Sequence, residues 1–303
     1  MLDRLRARWR ALPPSMRGVV WALASGFMFS MMSLLIKMLT GDLHPLQVAW
    51  FRAIFGLITL LPFVLRSWRT ATRTKRLGSH FIRAVFGASS MMLGFYSVAY
   101  LPLATATALG FSRPLFMVPL AIVFLKEVVR LRRWIATLVG FAGVLVIVRP
   151  DSSIEFAAIF GVGSALAAAL SQLMTKRLAA TEPVPEMMFF AAVFTSLITL
   201  PPALLVWQTP GWDQLLLIVC MGVVGSIGQL WLIWSLTEGE ATLTGPMEYV
   251  RIIFAAGFGF LIFSEIPTVW TGVGSLIIVS STVYIAWREA VLGKKRVVPA
   301  DPH

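Results

Sequence analysis

Two arginines lie inside long apolar segments of this chain, where charged residues are rare. Arg113 and Arg251 each stand about nine residues into a segment, which places them about 14 Å deep at the ~1.5 Å rise per residue of a helix. At the centre of a bilayer an arginine costs about 2.5–3.5 kcal/mol, so each must face a cavity or a partner. A guanidinium recognises a carboxylate through two parallel hydrogen bonds. We therefore predict that Arg113 or Arg251 binds a carboxylate of a substrate.

Glu248 is the one acid that lies deep in an apolar segment. It stands three residues before Arg251, one helical turn away, where the two side chains could neutralise each other. It could equally bridge to Arg113, so a purely structural ion network is the alternative to substrate contact. Glu248 is also the candidate for proton coupling, although pairing with Arg251 would keep it ionised across physiological pH.

A proline interrupts the segment that carries Arg113. Pro114 cannot donate a backbone hydrogen bond, which frees the carbonyl of Gly110 four residues earlier. Discontinuous helices near the midplane expose backbone groups to ligands. We predict that Gly110–Pro114 borders the site, with a simple packing kink as the alternative. Arg52, nearer to the outer face, is predicted to line a gate.

Other polar and aromatic side chains in the apolar segments are candidates for the walls of an amphipathic cavity. Any single one is more often a packing contact or an interfacial anchor. The predicted substrate-binding residues of this kind are Tyr96, Ser112, Gln172, Gln229, Trp231 and Tyr249. No His, Cys and Asp cluster has metal-ligand spacing, and no cofactor is predicted.

The elements that position these residues follow from composition. The 303 residues are 58% hydrophobic and 13% charged, about half the charge of a soluble domain, which excludes a cytosolic enzyme or a disordered chain. The lone cysteine, Cys220, excludes an intramolecular disulfide. Because about 20 apolar residues cross a bilayer as a helix, we predict an all-α integral membrane protein with ten spans, at 18–39, 46–65, 80–101, 104–125, 133–149, 156–175, 187–207, 214–236, 242–263 and 268–287.

The basic residues predict the orientation of these spans. With both termini in the cytoplasm, 21 of the 26 lysines and arginines fall in cytoplasmic tails and connections, as the positive-inside rule requires. Residues 1–17 and 289–303 are then cytoplasmic tails, and the first span is an uncleaved helix rather than a signal peptide. We predict a multi-pass protein of the bacterial inner (plasma) membrane whose basic tail binds no nucleic acid.

An internal repeat predicts how the spans are organised. Lys37 and Lys176 are separated by 139 residues, and 138 residues separate Arg113 from Arg251 and Glu127 from Glu265. The repeats cover 18–150 and 156–288, and each contains five spans, so the second copy is inverted relative to the first. Inverted repeats with a site near the midplane are a transporter signature.

Several motifs resemble one family. The opening Ser33-Leu34-Leu35-Ile36-Lys37, followed by His44-Pro45 and Trp50-Phe51-Arg52, is similar to EamA-type proteins of the drug/metabolite transporter superfamily, as are the segments Arg113-Pro114-Leu115-Phe116, Leu125-Lys126-Glu127 and Pro246-Met247-Glu248-Tyr249. This resemblance implies ten helices in two inverted five-helix repeats. It also implies carriage of small organic metabolites, among them amino acids, amino-acid-derived metallophores, riboflavin and S-adenosylmethionine.

Together these patterns predict a secondary transporter that works by alternating access, rather than an enzyme. We expect an exporter of amino acids or amino-acid-derived compounds, with uptake of riboflavin or S-adenosylmethionine as the alternative. An integral-membrane lipid-modifying enzyme is a distant third. The predicted partners are a small-molecule substrate and the lipid bilayer. No partner protein is predicted, and a homo-oligomer is left open.

Overall fold

A computed structural model describes residues 13–66, 74, 76–125, 131–148, 155–179, 181–238, 244 and 247–294. The basic residues before position 13, most of the connection after the second span, Glu127 and residues 295–303 lie outside this part of the chain. In the described residues, each of the ten predicted segments contains helix, and the fourth and ninth are irregular. The α-helices are α1 (Pro14–Leu39), α2 (Pro45–Arg66), α3 (Leu77–Tyr100), α4 (Leu103–Gly110), α5 (Arg113–Leu125), α6 (Leu131–Val148), α7 (Glu155–Leu178), α8 (Val184–Leu205), α9 (Trp212–Glu238), α10 (Arg251–Phe263) and α11 (Val269–Lys294).

The helices have the length and surface of membrane spans. In the described residues, six helical segments are long and apolar enough to cross a bilayer by length and composition, and three shorter apolar helices accompany them. Large apolar side chains cover the outside, with Leu205 87% and Leu261 77% exposed. Such a surface suits lipid rather than water. The chain is therefore an all-α, multi-pass membrane protein.

Helix packing follows the internal repeat. Helix α1 packs on α9 and α3 on α7, while α2 packs on α8 and α6 on α11. Shifting by one repeat maps the α1–α9 contact onto α7–α3, and maps α2–α8 and α6–α11 onto themselves. A two-fold axis between the two copies has this effect, because it converts each helix contact either into its counterpart or into itself.

Matching hydrogen bonds show the same symmetry at the atomic level. Ser25 Oγ donates to the Gly228 carbonyl at 2.8 Å, and its repeat mate Ser164 Oγ donates to the Ser90 carbonyl, also at 2.8 Å. Each bond joins neighbouring helices close to the middle of the spans. Serine and glycine allow the backbones to approach closely enough for this contact.

The fourth span is broken where Pro114 predicts. Helix α4 ends at Gly110 and α5 starts at Arg113, with a turn at Phe111–Ser112 between them. Ser112 Oγ donates to the Leu109 carbonyl at 2.6 Å and so satisfies one carbonyl at the end of α4. The break places Arg113 at the first position of a new helix.

The ninth span, its repeat mate, is also irregular. A 3₁₀ turn at Glu248–Val250 precedes α10, which begins at Arg251. Arg113 and Arg251 therefore stand at the starts of α-helices inside the bundle, and Glu248 stands in the 3₁₀ turn that leads into α10.

An ionic cluster joins three elements at one end of the bundle. Lys37, at the end of α1, forms an ion pair with Glu265, just after α10. Lys37 Nζ also donates to the Leu101 carbonyl at 2.7 Å, and Glu265 accepts from the Leu103 backbone N–H at 2.9 Å. Ser264 takes a left-handed conformation with φ of 56°, which turns the chain between α10 and Glu265. We call these contacts the Lys37–Glu265 cluster.

Candidate functional site

A cavity of about 410 Å³ lies among α1, α3, α4, α7, α9 and the start of α10. This volume is in the range of pockets that hold small molecules, about 300–1,000 Å³. Its charged walls are Arg113, Glu248 and Arg251; its polar walls include Ser25, Ser33, Ser90, Ser97, Thr107, Ser164 and Gln229; and its apolar walls include Phe29, Met32, Met91, Phe95 and Phe111.

The three charged residues face the cavity without pairing to one another. Among the described residues, ion pairs within 4.0 Å are Arg17–Glu238, Lys37–Glu265 and His80–Glu182. The ion pair between Glu248 and Arg251 that their spacing allows is not formed. Among the described residues, Arg113 and Glu248 therefore lie in the cavity wall without a close counter-charge.

Arg251 is held firmly by α1. Its Nη2 donates to Ser33 Oγ at 3.1 Å, and its guanidinium lies 5.3 Å from the centre of the Phe29 ring. Ser33 gives its own proton to the Phe29 carbonyl at 3.0 Å and so can accept from Arg251. Ser30 Oγ donates to the Arg251 carbonyl at 3.1 Å. The Nε of Arg251 is buried and has no hydrogen-bond acceptor.

Arg113 is exposed, and its side chain lines the cavity. It has no hydrogen-bond or ion-pair acceptor within the part of the chain that the structure describes. Glu248, half-buried at the start of its 3₁₀ turn, likewise lacks an ion-pair partner among the described residues. Gly110, at the end of α4, completes this wall next to the helix break.

Two predicted residues border the break without lining the cavity. Ser112 is fully buried, and its hydroxyl is used within the turn. Tyr249 packs its ring on Phe111 with the centroids 4.8 Å apart, and its hydroxyl lies beside Thr282 of α11. Both residues support the wall from behind, at the junction of the interrupted spans.

Tyr96 lies outside the cavity walls, near the end of the bundle that carries the Lys37–Glu265 cluster. Its hydroxyl is 3.0 Å from His44 Nε2, and its ring stacks on Phe160. Burial lowers the pKa of His44. His44 Nδ1 accepts from the Leu46 N–H, so the neutral imidazole donates from Nε2 to Tyr96. This pair anchors the loop after α1 to α3.

Three further predicted residues are also not brought to the cavity. Gln172 is exposed on α7, and Trp231 of α9 packs against Trp21, with the ring centroids 5.9 Å apart. Arg52 on α2 points its Nε at Met32 Sδ, 3.4 Å away. Arg52 thus contacts a cavity-lining residue from behind, and its gating role stays a prediction.

Several serines that were not predicted as site residues form much of the cavity wall. Ser90 and Ser164 bind each other's backbone carbonyls across α3 and α7, and Ser33 holds Arg251. Spacing of small residues in α3 and α7 was the available signal. The described residues contain no group of three or more His, Cys, Asp or Glu placed to hold a metal ion.

Comparison with known proteins identifies the family. The model of the EamA-like transporter family matches residues 16–149 and 155–287. An S-adenosylmethionine uptake transporter of Rickettsia felis is 33% identical, covering 92% of this chain and 95% of that protein. The pseudopaline exporter CntI of Pseudomonas aeruginosa is 30% identical, covering 89% of this chain and 95% of that protein.

A solved crystal structure shares the fold. It superposes with a TM-score of 0.60 at 16% identity and covers 94% of this chain and all of that one (100%). The family model matches the chain twice, once in each repeat, which agrees with the two-fold pattern of helix contacts. The chain therefore belongs to the EamA-like transporter family.

Proposed function

We propose that this chain is a secondary transporter that carries a small, zwitterionic, amino-acid-derived metabolite through the cavity by alternating access. The observation that carries this proposal is that Arg113 and Glu248 face one cavity with no ion-pair partner among the described residues. A carboxylate would bind the guanidinium, and a cationic group would lie near Glu248. Hydrogen bonds to charged groups contribute about 1.5–3 kcal/mol each, enough to select a zwitterion over a neutral molecule.

S-adenosylmethionine is the first compound to test. It has an α-amino carboxylate, a sulfonium cation and an aromatic base, which suit an arginine, a glutamate and the rings of Phe29 and Phe111. The similarity to S-adenosylmethionine uptake transporters at 31–33% identity supports this choice. Export of an amino-acid-derived compound stays our prediction for the direction of flux, and similarity to the pseudopaline exporter supports it.

Transport by purified protein in liposomes tests the substrate proposal. We expect labelled S-adenosylmethionine to cross the membrane at least tenfold faster than its decarboxylated analogue, because only the former has a carboxylate for Arg113. Riboflavin is measured in parallel as the alternative substrate. Arg177→Gln, an exposed arginine outside the cavity, is the matched control for Arg113→Gln. Equal transport of both S-adenosyl compounds would reject the carboxylate argument.

Two further expectations are tested separately, the first in the same liposomes and the second in cells. We propose that the chain is no enzyme, so the lipid composition of the liposomes should not change during transport. We also propose that both termini lie in the cytoplasm of a bacterial cell. Epitope tags at either end should then bind antibody only after the inner membrane is permeabilised, and labelling in intact spheroplasts would contradict this orientation.

A further inference from the structure

The two cavity arginines occupy equivalent repeat positions but are held differently. Arg251 contacts α1 through the Ser33 hydroxyl, the Phe29 ring and its own carbonyl, which accepts from Ser30. We call these three contacts the Arg251 clamp. Arg113 has no equivalent contacts within the described part of the chain, and its side chain is exposed to the cavity.

The sequence of α7 explains why Arg113 is not clamped. The 139-residue offset maps Phe29 onto Ala168 and Ser30 onto Ala169. Alanine offers neither a ring for the guanidinium nor a hydroxyl for the backbone. Thus two of the three parts of the Arg251 clamp are missing from the copy that packs near Arg113.

The third part of the clamp is changed rather than lost. The offset maps Ser33 onto Gln172, which is exposed and does not line the cavity. The asymmetry therefore comes from residue types in the repeat, as well as from side-chain placement.

We propose that the two arginines divide their roles, an inference that rests on the proposed function. Arg113 contacts the substrate carboxylate. Ser33 is a positioning residue that, with Phe29, fixes Arg251 as a static positive charge and ties α10 to α1. A carboxylate can reach the donors of Arg113 without displacing a protein partner. On Arg251 the Nε is buried and one Nη2 proton is used by Ser33, so fewer donors are open to a carboxylate than on Arg113.

Arginine modification with phenylglyoxal tests the clamp without any substrate. In purified protein, peptide mass spectrometry should show Arg113 reacting at least fivefold faster than Arg251. Ser33→Ala should raise the rate at Arg251 at least threefold, and Ser33→Thr, which keeps a hydroxyl, should not. Equal rates at the two arginines, or no effect of Ser33→Ala, would overturn the clamp. If Ser33→Ala does not fold, the wild-type rates and Ser33→Thr still decide the result.

Protection by ligands tests the contact. S-adenosylmethionine should slow modification of Arg113, its decarboxylated analogue should not, and Arg251 should be unaffected by either. Protection of Arg251 instead of Arg113 overturns the assignment. If neither compound protects and neither is transported, S-adenosylmethionine is not the substrate. Protection of Arg113 is then measured with L-methionine and L-glutamate, and an absence of protection by every carboxylate in this set rejects the contact.

A kinetic readout separates substrate contact from positioning. Arg113→Lys keeps the charge but loses the two-pronged geometry, so it should raise KM for transport with little change in the maximal rate. Ser33→Ala should alter the maximal rate more than KM, because it loosens α10 from α1, and Ser33→Thr should restore it. A rise in KM alone for Ser33→Ala would show direct contact instead of positioning.

Discussion

Three partly buried arginines in this bundle are held by neutral groups. Arg83 donates to Thr175 Oγ1 at 2.6 Å and to the Met187 carbonyl at 2.7 Å, Arg52 faces a methionine sulfur, and Arg251 has a serine and a phenylalanine ring. Neutral partners contact a guanidinium group without offsetting its positive charge. Positive potential therefore persists inside the protein, which favours an anionic group in the cavity.

Two glutamines that look alike in sequence should differ in function. Gln229 lines the cavity, whereas Gln172 does not. We expect Gln229→Ala to raise KM for transport about fivefold, as loss of one hydrogen bond of about 1 kcal/mol predicts. Gln172→Ala is the matched control and should change KM less than twofold. The reverse order would place the substrate against α7 instead of α9.

Replacing Glu248 tests both charge recognition and proton coupling. Because Glu248 has no ion-pair partner among the described residues, Glu248→Gln should weaken binding of a zwitterion about tenfold, while binding of a substrate analogue without a cationic group should stay within twofold. Transport is measured with and without a pH gradient. Coupling through Glu248 requires a gradient effect in the wild type that the variant lacks.

At the level of helices, the length of an apolar segment predicts where the helix begins and ends. It does not predict which face of the helix points toward the cavity. The predicted span at 187–207 corresponds to Val184–Leu205. Trp231 and Gln172 are predicted wall residues, but neither lines the cavity in the structure, and their contact with substrate stays a prediction. Helices that are apolar on every side carry no polar stripe to mark the face toward the cavity.

The Arg251 clamp shows a second limit of sequence reasoning. Arg251 and Ser33 are 218 positions apart, and their contact depends on how α10 crosses α1. Arg113 and Arg251 stand at equivalent repeat positions, 138 residues apart, and two identical copies would give them equal surroundings. The residues at the positions equivalent to Phe29, Ser30 and Ser33 differ between the repeats, so the surroundings are not equal. Only the structure shows that these positions contact Arg251.

Close packing of α6 and α11 gives a prediction about two glycines. A Cβ on Gly274 would lie 2.7 Å from the Gly143 carbonyl, a backbone atom that cannot rotate away, whereas a Cβ on Gly272 would meet nothing within 4 Å. Gly274→Ala should therefore destabilise the protein by about 1–3 kcal/mol. Gly272→Ala, on the same helix, should be neutral or stabilise by up to about 1 kcal/mol. Unfolding by SDS titration in mixed micelles measures both, and equal effects would contradict the close crossing.

At the scale of the whole molecule, the two repeats meet around the cavity and at its end. Lys37 belongs to the first repeat and Glu265 to the second, so the Lys37–Glu265 cluster ties the halves together. Glu265 also holds the start of α4 through Leu103, just ahead of the break that exposes Arg113. A single carboxylate thus links the end of the ninth span to the wall of the cavity.

The strength of this link can be measured with a double-mutant cycle. Both side chains are mostly buried, at 14% and 17% exposure. Lys37→Met leaves Glu265 with an uncompensated charge and should cost roughly 2–4 kcal/mol, somewhat less than for a fully buried pair. Glu265→Gln keeps an acceptor for the Leu103 N–H. The double variant Lys37→Met/Glu265→Gln should therefore lose less unfolding free energy than the two single variants lose together, by at least about 1 kcal/mol. Additive effects in the same SDS titration would mean that the ion pair does not couple the halves. In that case the hydrogen bonds to Leu101 and Leu103 would account for the contact between α1, α4 and the end of α10.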